Sequence, residues 1–249
     1  MQEQREIIFE LCAESVEACI AGQQGGADRI ELCTALIEDG LTPSHGLVRV
    51  VLDNCSLPVH ILLRPRAGDF EYSDAEFEVM KQDLAHLKSM GVAGFVIGIL
   101  HADATVDMER TRELVELAAP LEVTFNRAFD YTTSLPQALE DIISAGCHRV
   151  LTAGGEPDVV TGADSLAQLV QQAAGRIEIA AGGGLRIEIA SDLAARTGAR
   201  HFHGSLRQSE ASLPVLTYAG NNPGSLVSRS RNTVDSSDIR ALVNSLRNS

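Results

Sequence analysis

The stretch that decides the fold is Gly25-Gly26-Ala27-Asp28-Arg29-Ile30-Glu31-Leu32, in which glycine ends a helical pattern and a β-rich run follows almost at once. A glycine after a helix supplies the left-handed residue that terminates it. The same phrase returns four more times, beginning at Gly91, Gly146, Gly175 and Gly198. Such alternation of helix and strand predicts βα units and a parallel sheet.

Eight runs qualify as strands, and helical patterns separate them. The predicted strands are 7–12, 29–33, 59–64, 94–100, 121–126, 149–152, 177–181 and 200–203, and the predicted helices include 73–90, 106–118, 135–145, 165–174 and 187–197. Eight strand–helix units in about 205 residues favour a (β/α)8 TIM-type barrel over an open sheet. We therefore expect a single domain over 1–249, with the barrel at about 7–208. The remainder, 209–249, is predicted to form an irregular tail and a closing helix, with the tail acting as a lid or as an oligomer contact.

Composition restricts the partners of the protein. The 34 acidic residues outnumber the 20 basic ones, giving a net charge of −14, which disfavours nucleic acid and anionic membranes as partners. Five cysteines, an odd number, do not resemble a secreted disulfide framework. Neither a signal peptide nor a long apolar run is visible. These features predict a soluble, cytoplasmic protein with reduced thiols and no membrane partner.

Alternation along each strand predicts which side chains point into the barrel. Polar residues of one parity near the carboxyl ends of the strands should gather at the mouth, where active sites of such barrels lie. The predicted inward set is Glu10, Cys12, Glu14, Glu31, Cys33, Arg64, Arg66, Thr124, Asn126, Thr152, Gly154, His201, His203 and Ser205. Arg127 and Asp130 follow directly after the fifth strand.

Carboxylates and arginines at one mouth suggest an enzyme for an anionic or phosphorylated small molecule. The catalytic candidates are Glu10, Glu31, Arg64, Arg66, Arg127 and Asp130. The arginines would clamp a carboxylate or phosphate, and Glu31 or Glu10 would act as general acid or base. Two structural alternatives stay open: the glutamates neutralise Arg64 and Arg66, and Asp130 caps a helix or pairs with Arg127.

Glycines end the sixth, seventh and eighth strands, at Gly154-Gly155, Gly182-Gly183-Gly184 and Gly204-Ser205. Backbone N–H groups after the last two strands of such barrels commonly hold a phosphate. We therefore predict anion binding by Gly183, Gly184, Gly204 and Ser205, the alternative being tight turns without a ligand. The Gly-x-Gly-x-x-Gly spacing and the phosphate-loop lysine are missing, so no nucleotide cofactor is predicted.

Cys12 and Cys33 share the inward parity on strands expected to be neighbours, which lie about 4.8 Å apart. Two thiolates at that separation suit a soft ion such as Cu(I). The alternative is that both are small buried hydrophobic residues. No Cys-x-x-Cys or His-Glu-x-x-His motif indicates a closed zinc site.

Several motifs together resemble the CutC family of copper-homeostasis proteins. They are 25–33, Gly40-Leu41-Thr42-Pro43-Ser44, Arg64-Pro65-Arg66-Ala67-Gly68-Asp69-Phe70, 123–130, Val150-Leu151-Thr152-Ala153-Gly154 and His203-Gly204-Ser205, and the match runs from about 7 to 208. The resemblance implies a cytoplasmic (β/α)8 barrel, a role in copper handling, Cu(I) ligation at Cys12 and Cys33, and a homo-oligomer, either a dimer or a tetramer.

Two positions depart from that family's usual pattern, which has His at the position of Asn126 and Gly at that of Ala67. Asparagine is neither a general base nor a good copper ligand. A thiol-only copper site is less affected by this change than a role that needs the imidazole. Two functions thus remain open: a Cu(I)-binding homeostasis protein, or a barrel enzyme acting on a small anion.

Overall fold

A computed structural model describes residues 7–210 and 231–248 of the chain. Its eight parallel strands pair in sequence order, and β8 closes on β1 to complete the predicted barrel. The barrel strands are β1 (Ile8–Ala13), β2 (Arg29–Leu32), β3 (Val59–Leu62), β4 (Gly94–Ile97), β5 (Glu122–Phe125), β6 (Arg149–Thr152), β7 (Glu178–Gly182) and β8 (His201–Gly204). Beyond them, β9 (Gln208–Glu210) pairs antiparallel with β10 (Arg231–Thr233).

Helices alternate with the strands. They are α1 (Val16–Gly25), α2 (His45–Asn54), α3 (Asp74–Ser89), α4 (Met108–Ala118), α5 (Leu135–Ala145), α6 (Ala163–Ala173), α7 (Ile187–Thr197) and α8 (Ser236–Arg247). Glycine ends the helix in three of the five repeated phrases, where Gly26, Gly146 and Gly198 adopt left-handed φ of 88°, 91° and 66° and their N–H groups bond back to the preceding turn. In the other two, Met90 and Ala174 cap α3 and α6 one residue before the glycine. Among the described residues, no helix is long and apolar enough to cross a bilayer.

Helix α8 completes the outer ring, because it packs between α1 and α7. Ile239, Leu242 and Leu246 are fully buried there. The contact with α1 is close: a Cβ on Gly25 would lie 2.5 Å from the Cβ of Ile239. The predicted closing helix is thus the eighth helix of the barrel. Most of the tail expected to form a lid or an oligomer contact, residues 211–230, lies outside the described residues.

The two faces of each strand differ in chemistry, as strand alternation requires. Outward residues such as Phe9, Ile30 and Phe125 are fully buried against the helices and form the main apolar core. The inward residues include a separate, small apolar cluster of Cys12, Cys33, Leu62 and Val96. The rest of the interior is largely polar, and this polar interior carries the candidate site.

Candidate functional site

A group of charged and imidazole side chains fills the barrel interior below the mouth. We call this group the ionic layer, and its members are Glu10, Arg29, His60, Glu122, Arg149 and His201. Arg29 Nε donates to Glu10 Oε2 at 2.5 Å, and Arg149 donates to Glu122 Oε2 at 3.0 Å and to Thr124 Oγ1 at 2.9 Å. The interpretation that the glutamates neutralise Arg64 and Arg66 is therefore wrong for Glu10, whose guanidinium partner is Arg29.

Glu10 links the ionic layer to the mouth through His203. The His203 Nδ1 lies 2.9 Å from Glu10 Oε1. Burial by itself would raise the pKa of Glu10, but the Arg29 guanidinium and the His203 ring outweigh it and hold that pKa well below its ordinary value. An ionised Glu10 accepts a hydrogen bond from the Nδ1–H of His203, which leaves the His203 Nε2 for other partners.

Above the ionic layer, a cavity of about 800 Å³ opens at the carboxyl ends of the strands. We call its inward-facing base the cavity floor, formed by Cys12, Glu31, Leu62, Asn126, Leu151 and His203. Cys12, Glu31 and His203 bring three potential metal-ligand atoms within 4.8 Å of one another, and all three residues are buried. Parity predicted the inward direction of these three side chains.

The two predicted thiols lie together. Cys12 Sγ and Cys33 Sγ are 3.8 Å apart, and both cysteines are free. This is far longer than a disulfide bond of about 2.05 Å. Cys12 lines the cavity, whereas Cys33 lies behind it, fully buried. The hydrogen bond with Cys33, together with burial, raises the pKa of the Cys12 thiol well above its ordinary value.

Glu31 is incompletely bonded. Its Oε1 accepts from Cys12 Sγ at 3.6 Å, but Oε2 is buried and has no hydrogen-bond partner among the described residues. Burial and the charge of Glu10 raise the pKa of Glu31 to about 7, although His203 acts in the opposite direction. A buried carboxylate oxygen without a partner is costly, so the cavity floor has an unused acceptor that a ligand can satisfy.

Arg64 lines the cavity, but its guanidinium is engaged with backbone. Its Nη1 donates to the carbonyls of Glu38 and Gly40, and its Nη2 donates to that of Gly68. Within the described ranges, only the Arg64 Nε is left without a hydrogen-bond partner. Arg64 thus holds the loops after β2 and β3 together around the mouth.

Arg66 lies outside the cavity wall. It pairs with Glu76 at 2.6 Å and with Asp69 at 2.7 Å. The structure therefore brings one of the two predicted β3 arginines to the mouth and places the other on the loop surface.

Asp130 and Arg127 form an ion pair, one of the alternatives left open by the sequence. Arg127 Nε donates to Asp130 Oδ2 at 2.7 Å. Asp130 also accepts from the backbone N–H groups of Ala153 and Gly155 and from the Thr152 hydroxyl. Arg127 lines the cavity, and Asp130 acts beside it as the carboxylate that fixes the loop after β6.

The expectation that Thr152 and Gly154 point into the barrel is wrong. Leu151 is the β6 residue that lines the cavity, and the Thr152 hydroxyl instead bonds Asp130 on the other face. Alternation explains the change, since Arg149 and Leu151 share the inward parity. In contrast, the structure places all four predicted anion-binding residues, Gly183, Gly184, Gly204 and Ser205, on the cavity wall.

Asn126 lies on the cavity floor, but its side-chain oxygen caps the turn that follows β5. Its Oδ1 accepts from the Ala128 N–H at 2.9 Å. Gly98 leaves room for this amide, because a Cβ there would lie 1.9 Å from Oδ1. Asn126 thus contributes mainly to the shape of the mouth.

Sequence reasoning missed the ionic-layer residues Arg29, His60, Glu122 and Arg149, and the apolar floor residues Leu62 and Leu151. A usable signal was present, because Arg29 shares the parity of Glu31, and His60 and Leu62 that of Arg64. These residues were missed because the parity argument was applied only near the carboxyl end of each strand, whereas Arg29 and His60 lie near the amino ends of β2 and β3.

The fold and the site together define a βα-barrel protein with a buried thiol, imidazole and carboxylate group at the base of its mouth. The chain belongs to the CutC family, whose model matches residues 7–208. A CutC family protein of Chromobacterium violaceum is 43% identical over 237 residues, covering 94% of this chain and 96% of the relative. A copper homeostasis protein cutC homolog of Mus musculus is 43% identical over 205 residues, covering 82% and 75% respectively.

A solved structure agrees with this relationship. The crystal structure of a protein assigned as CutC from Streptococcus agalactiae superposes with a TM-score of 0.76 at 28% sequence identity. The superposition covers 80% of this chain and 98% of that protein. The Streptococcus agalactiae protein therefore has the same barrel fold as this chain, although the two sequences are only 28% identical.

Proposed function

We propose that this chain is a cytoplasmic copper-homeostasis protein that binds Cu(I) through Cys12 and Cys33, with His203 as a third ligand. The observation that carries the proposal is the 3.8 Å separation of the two sulfur atoms at the base of an open cavity. Two metal–sulfur bonds of about 2.3 Å span that separation at an angle of ~110°. Such an angle suits three-coordinate binding better than linear binding.

The donor chemistry supports copper over harder ions. Thiolate sulfur selects soft ions, and Cu(I) is the soft ion that accepts two sulfurs and an imidazole. Both cysteines are free and reduced in the fold, and relatives such as the Mus musculus protein carry the name copper homeostasis protein. Metal binding would release the proton that burial and Cys33 keep on Cys12, as is usual for thiol ligands.

His203 is suited to the third position because its other nitrogen is already occupied. A ligating histidine usually donates its second N–H to a carboxylate, which fixes the orientation of the ring. Glu10 accepts from His203 Nδ1 in this way, and Arg29 in turn fixes Glu10. Asn126 is not needed in this arrangement, so the departure from the family's usual histidine leaves the proposed site intact.

The test is an anaerobic Cu(I) competition titration of the full chain and of the Cys12→Ser/Cys33→Ser variant. Wild type should bind about one equivalent, and the variant should lose at least about 100-fold in affinity, because two soft ligands are replaced by hard hydroxyls. The matched control is Cys19→Ser/Cys55→Ser, which changes two other buried thiols, one of which bonds the other's carbonyl at 3.9 Å. It should retain wild-type affinity. Unchanged binding in the Cys12→Ser/Cys33→Ser variant would refute the site.

A further inference from the structure

The cavity is much larger than a metal ion needs. Its volume of about 800 Å³ falls in the range of sites that bind small organic molecules, roughly 300–1,000 Å³. The proposed copper ligands lie at its base: Cys12 and His203 are on the cavity floor, and Cys33 lies behind Cys12 with its Sγ 3.8 Å away. The remaining space, toward the ends of β5, β7 and β8, has its own set of polar groups.

Arg127 is held in a fixed orientation on this part of the wall. Its Nε donates to Asp130 at 2.7 Å, and its Nη2 donates to the carbonyl of Glu156 at 3.2 Å. Asp130 cannot move freely, since the N–H groups of Ala153 and Gly155 also bind it. These bonds leave Nη1 without an acceptor among the described residues. Arg127 therefore presents a donor that is already ordered in the folded protein, so binding a ligand costs little further side-chain entropy.

The turn after β7 lies against this guanidinium. Gly183 and Gly184 have φ of +113° and +72°, and a Cβ on Gly183 would lie 3.1 Å from Arg127 Nη1. The N–H groups of both glycines lack a backbone acceptor in the described part of the chain. The turn itself is fixed, because the Gly183 carbonyl accepts from the Val159 N–H at 2.9 Å. Ser205 lines the same cavity from the end of β8.

We propose that these groups form an oxyanion seat that binds the phosphate or carboxylate of a small organic ligand. Arg127 supplies a guanidinium donor, the Gly183–Gly184 turn supplies backbone N–H groups, and Ser205 supplies a hydroxyl. The rest of the ligand extends toward the cavity floor. The seat shares no residue with the proposed copper ligands, so it goes beyond the copper function and does not depend on it.

The experiment is isothermal titration calorimetry of the copper-free, reduced full chain against three probes: inorganic phosphate, glycerol 3-phosphate and malonate. We expect saturable binding of at least one probe at one site, weakened about tenfold or more in Arg127→Gln because a charge-assisted donor is lost. Gly183→Ala should also weaken binding, because its methyl group displaces the guanidinium. Ser205→Ala tests the contribution of the hydroxyl without disturbing Arg127 or the Gly183–Gly184 turn. Stronger binding of the two phosphate probes would identify a phosphorylated ligand, and stronger binding of malonate would identify a carboxylate ligand.

Arg66→Gln is the matched control. Arg66 also has an aspartate partner three residues later and a similar side-chain exposure, 34% against 37% for Arg127, but it lies outside the cavity. It should keep wild-type affinity, and a failure of the proposed copper site is a separate outcome because the probes are titrated into copper-free protein. The oxyanion seat is refuted if no probe binds saturably, or if Arg66→Gln weakens binding as much as Arg127→Gln does. It is also refuted if thermal melting shows that every variant with weakened binding is unfolded and Ser205→Ala binds the probes normally.

Discussion

The two polar regions inside the barrel differ in how far their charges are satisfied. In the ionic layer, Glu10 pairs with Arg29, and Arg149 pairs with Glu122. On the cavity floor, Glu31 has only a thiol donor, and one of its buried oxygens has no partner among the described residues. Both regions lie within one barrel on the same strands, so the difference comes from which residues occupy successive inward positions.

The difference teaches which polar residues hold the fold together and which ones form a site. A buried charge with a bonded partner is a structural element of the fold, because removing either partner leaves the other charge buried and uncompensated and so destabilises the protein. A buried polar atom without a partner destabilises the protein and marks a place where a ligand gains binding energy. Glu10 and Glu31, on adjacent strands and both almost fully buried, are the clearest pair for testing this distinction.

The largest effect is expected for Glu10→Gln. The substitution leaves Arg29 and His203 without their counter-charge and should lower the free energy of unfolding by about 3–5 kcal/mol at pH 7. Because the pKa of Glu10 is lowered by Arg29 and His203 against the effect of burial, its stabilisation is present above its unfolded-state pKa and is lost as pH falls through the folded-state value. Urea denaturation across pH 3–7 should therefore show the two proteins converging in acid, and a constant difference would contradict the assignment.

The second effect is expected for Arg149→Met. Methionine fills similar volume but leaves the buried Thr124 hydroxyl without its donor and Glu122 without its guanidinium partner, so the cost should be about 2–4 kcal/mol. The comparison is Arg176→Met, which removes a bidentate pair with Glu140 on the helix surface, at 2.7 and 2.8 Å, and should cost less than about 1 kcal/mol. Urea denaturation measures the free energy of unfolding of both variants. Equal decreases would show that the ionic layer stabilises the fold no more than a surface ion pair does.

The smallest effect has the opposite sign. Glu31→Gln in the copper-free protein should raise the free energy of unfolding at pH 6 by about 2 kcal/mol. Burial and Glu10 raise the pKa of Glu31 from 4.5 to about 7, so the folded state binds the proton more tightly than the unfolded state does. Wild-type stability should fall as pH rises from about 4.5 to 7, and this decline should be absent in the variant. A loss of stability in Glu31→Gln at pH 6 would place Glu31 with Glu10 as a structural carboxylate.

Much of the architecture followed from local chemistry. The five glycine phrases predicted the helix–strand alternation because a helix end and a strand start are decided by neighbouring residues. Parity placed Glu10, Cys12, Glu31 and His203 correctly because polar and apolar residues alternate along β2 and β8 and from Phe9 onward in β1. Helix α2 was missed, although Ser44 caps its first turn and Val48 and Val51 face the core.

The partners of the charged residues could not be predicted, because they depend on register and on loop conformation. Arg64 binds carbonyl groups of the loops after β2 and β3, and backbone carbonyls leave no trace in a sequence. Parity failed on β6 because polar Thr152 follows apolar Leu151, and only the structure shows that Asp130 holds Thr152 on the outer face. The Glu10–Arg29 pair depends on the register of β1 and β2, which sets these residues opposite each other.

The most direct test of the central claim is the copper X-ray absorption spectrum of the Cu(I)-loaded protein. Our account predicts two sulfur scatterers at about 2.3 Å and one nitrogen scatterer with an imidazole signature that is lost in His203→Ala. A spectrum of nitrogen and oxygen scatterers alone, or a sulfur signal that persists in Cys12→Ser/Cys33→Ser, would contradict a copper site on the cavity floor.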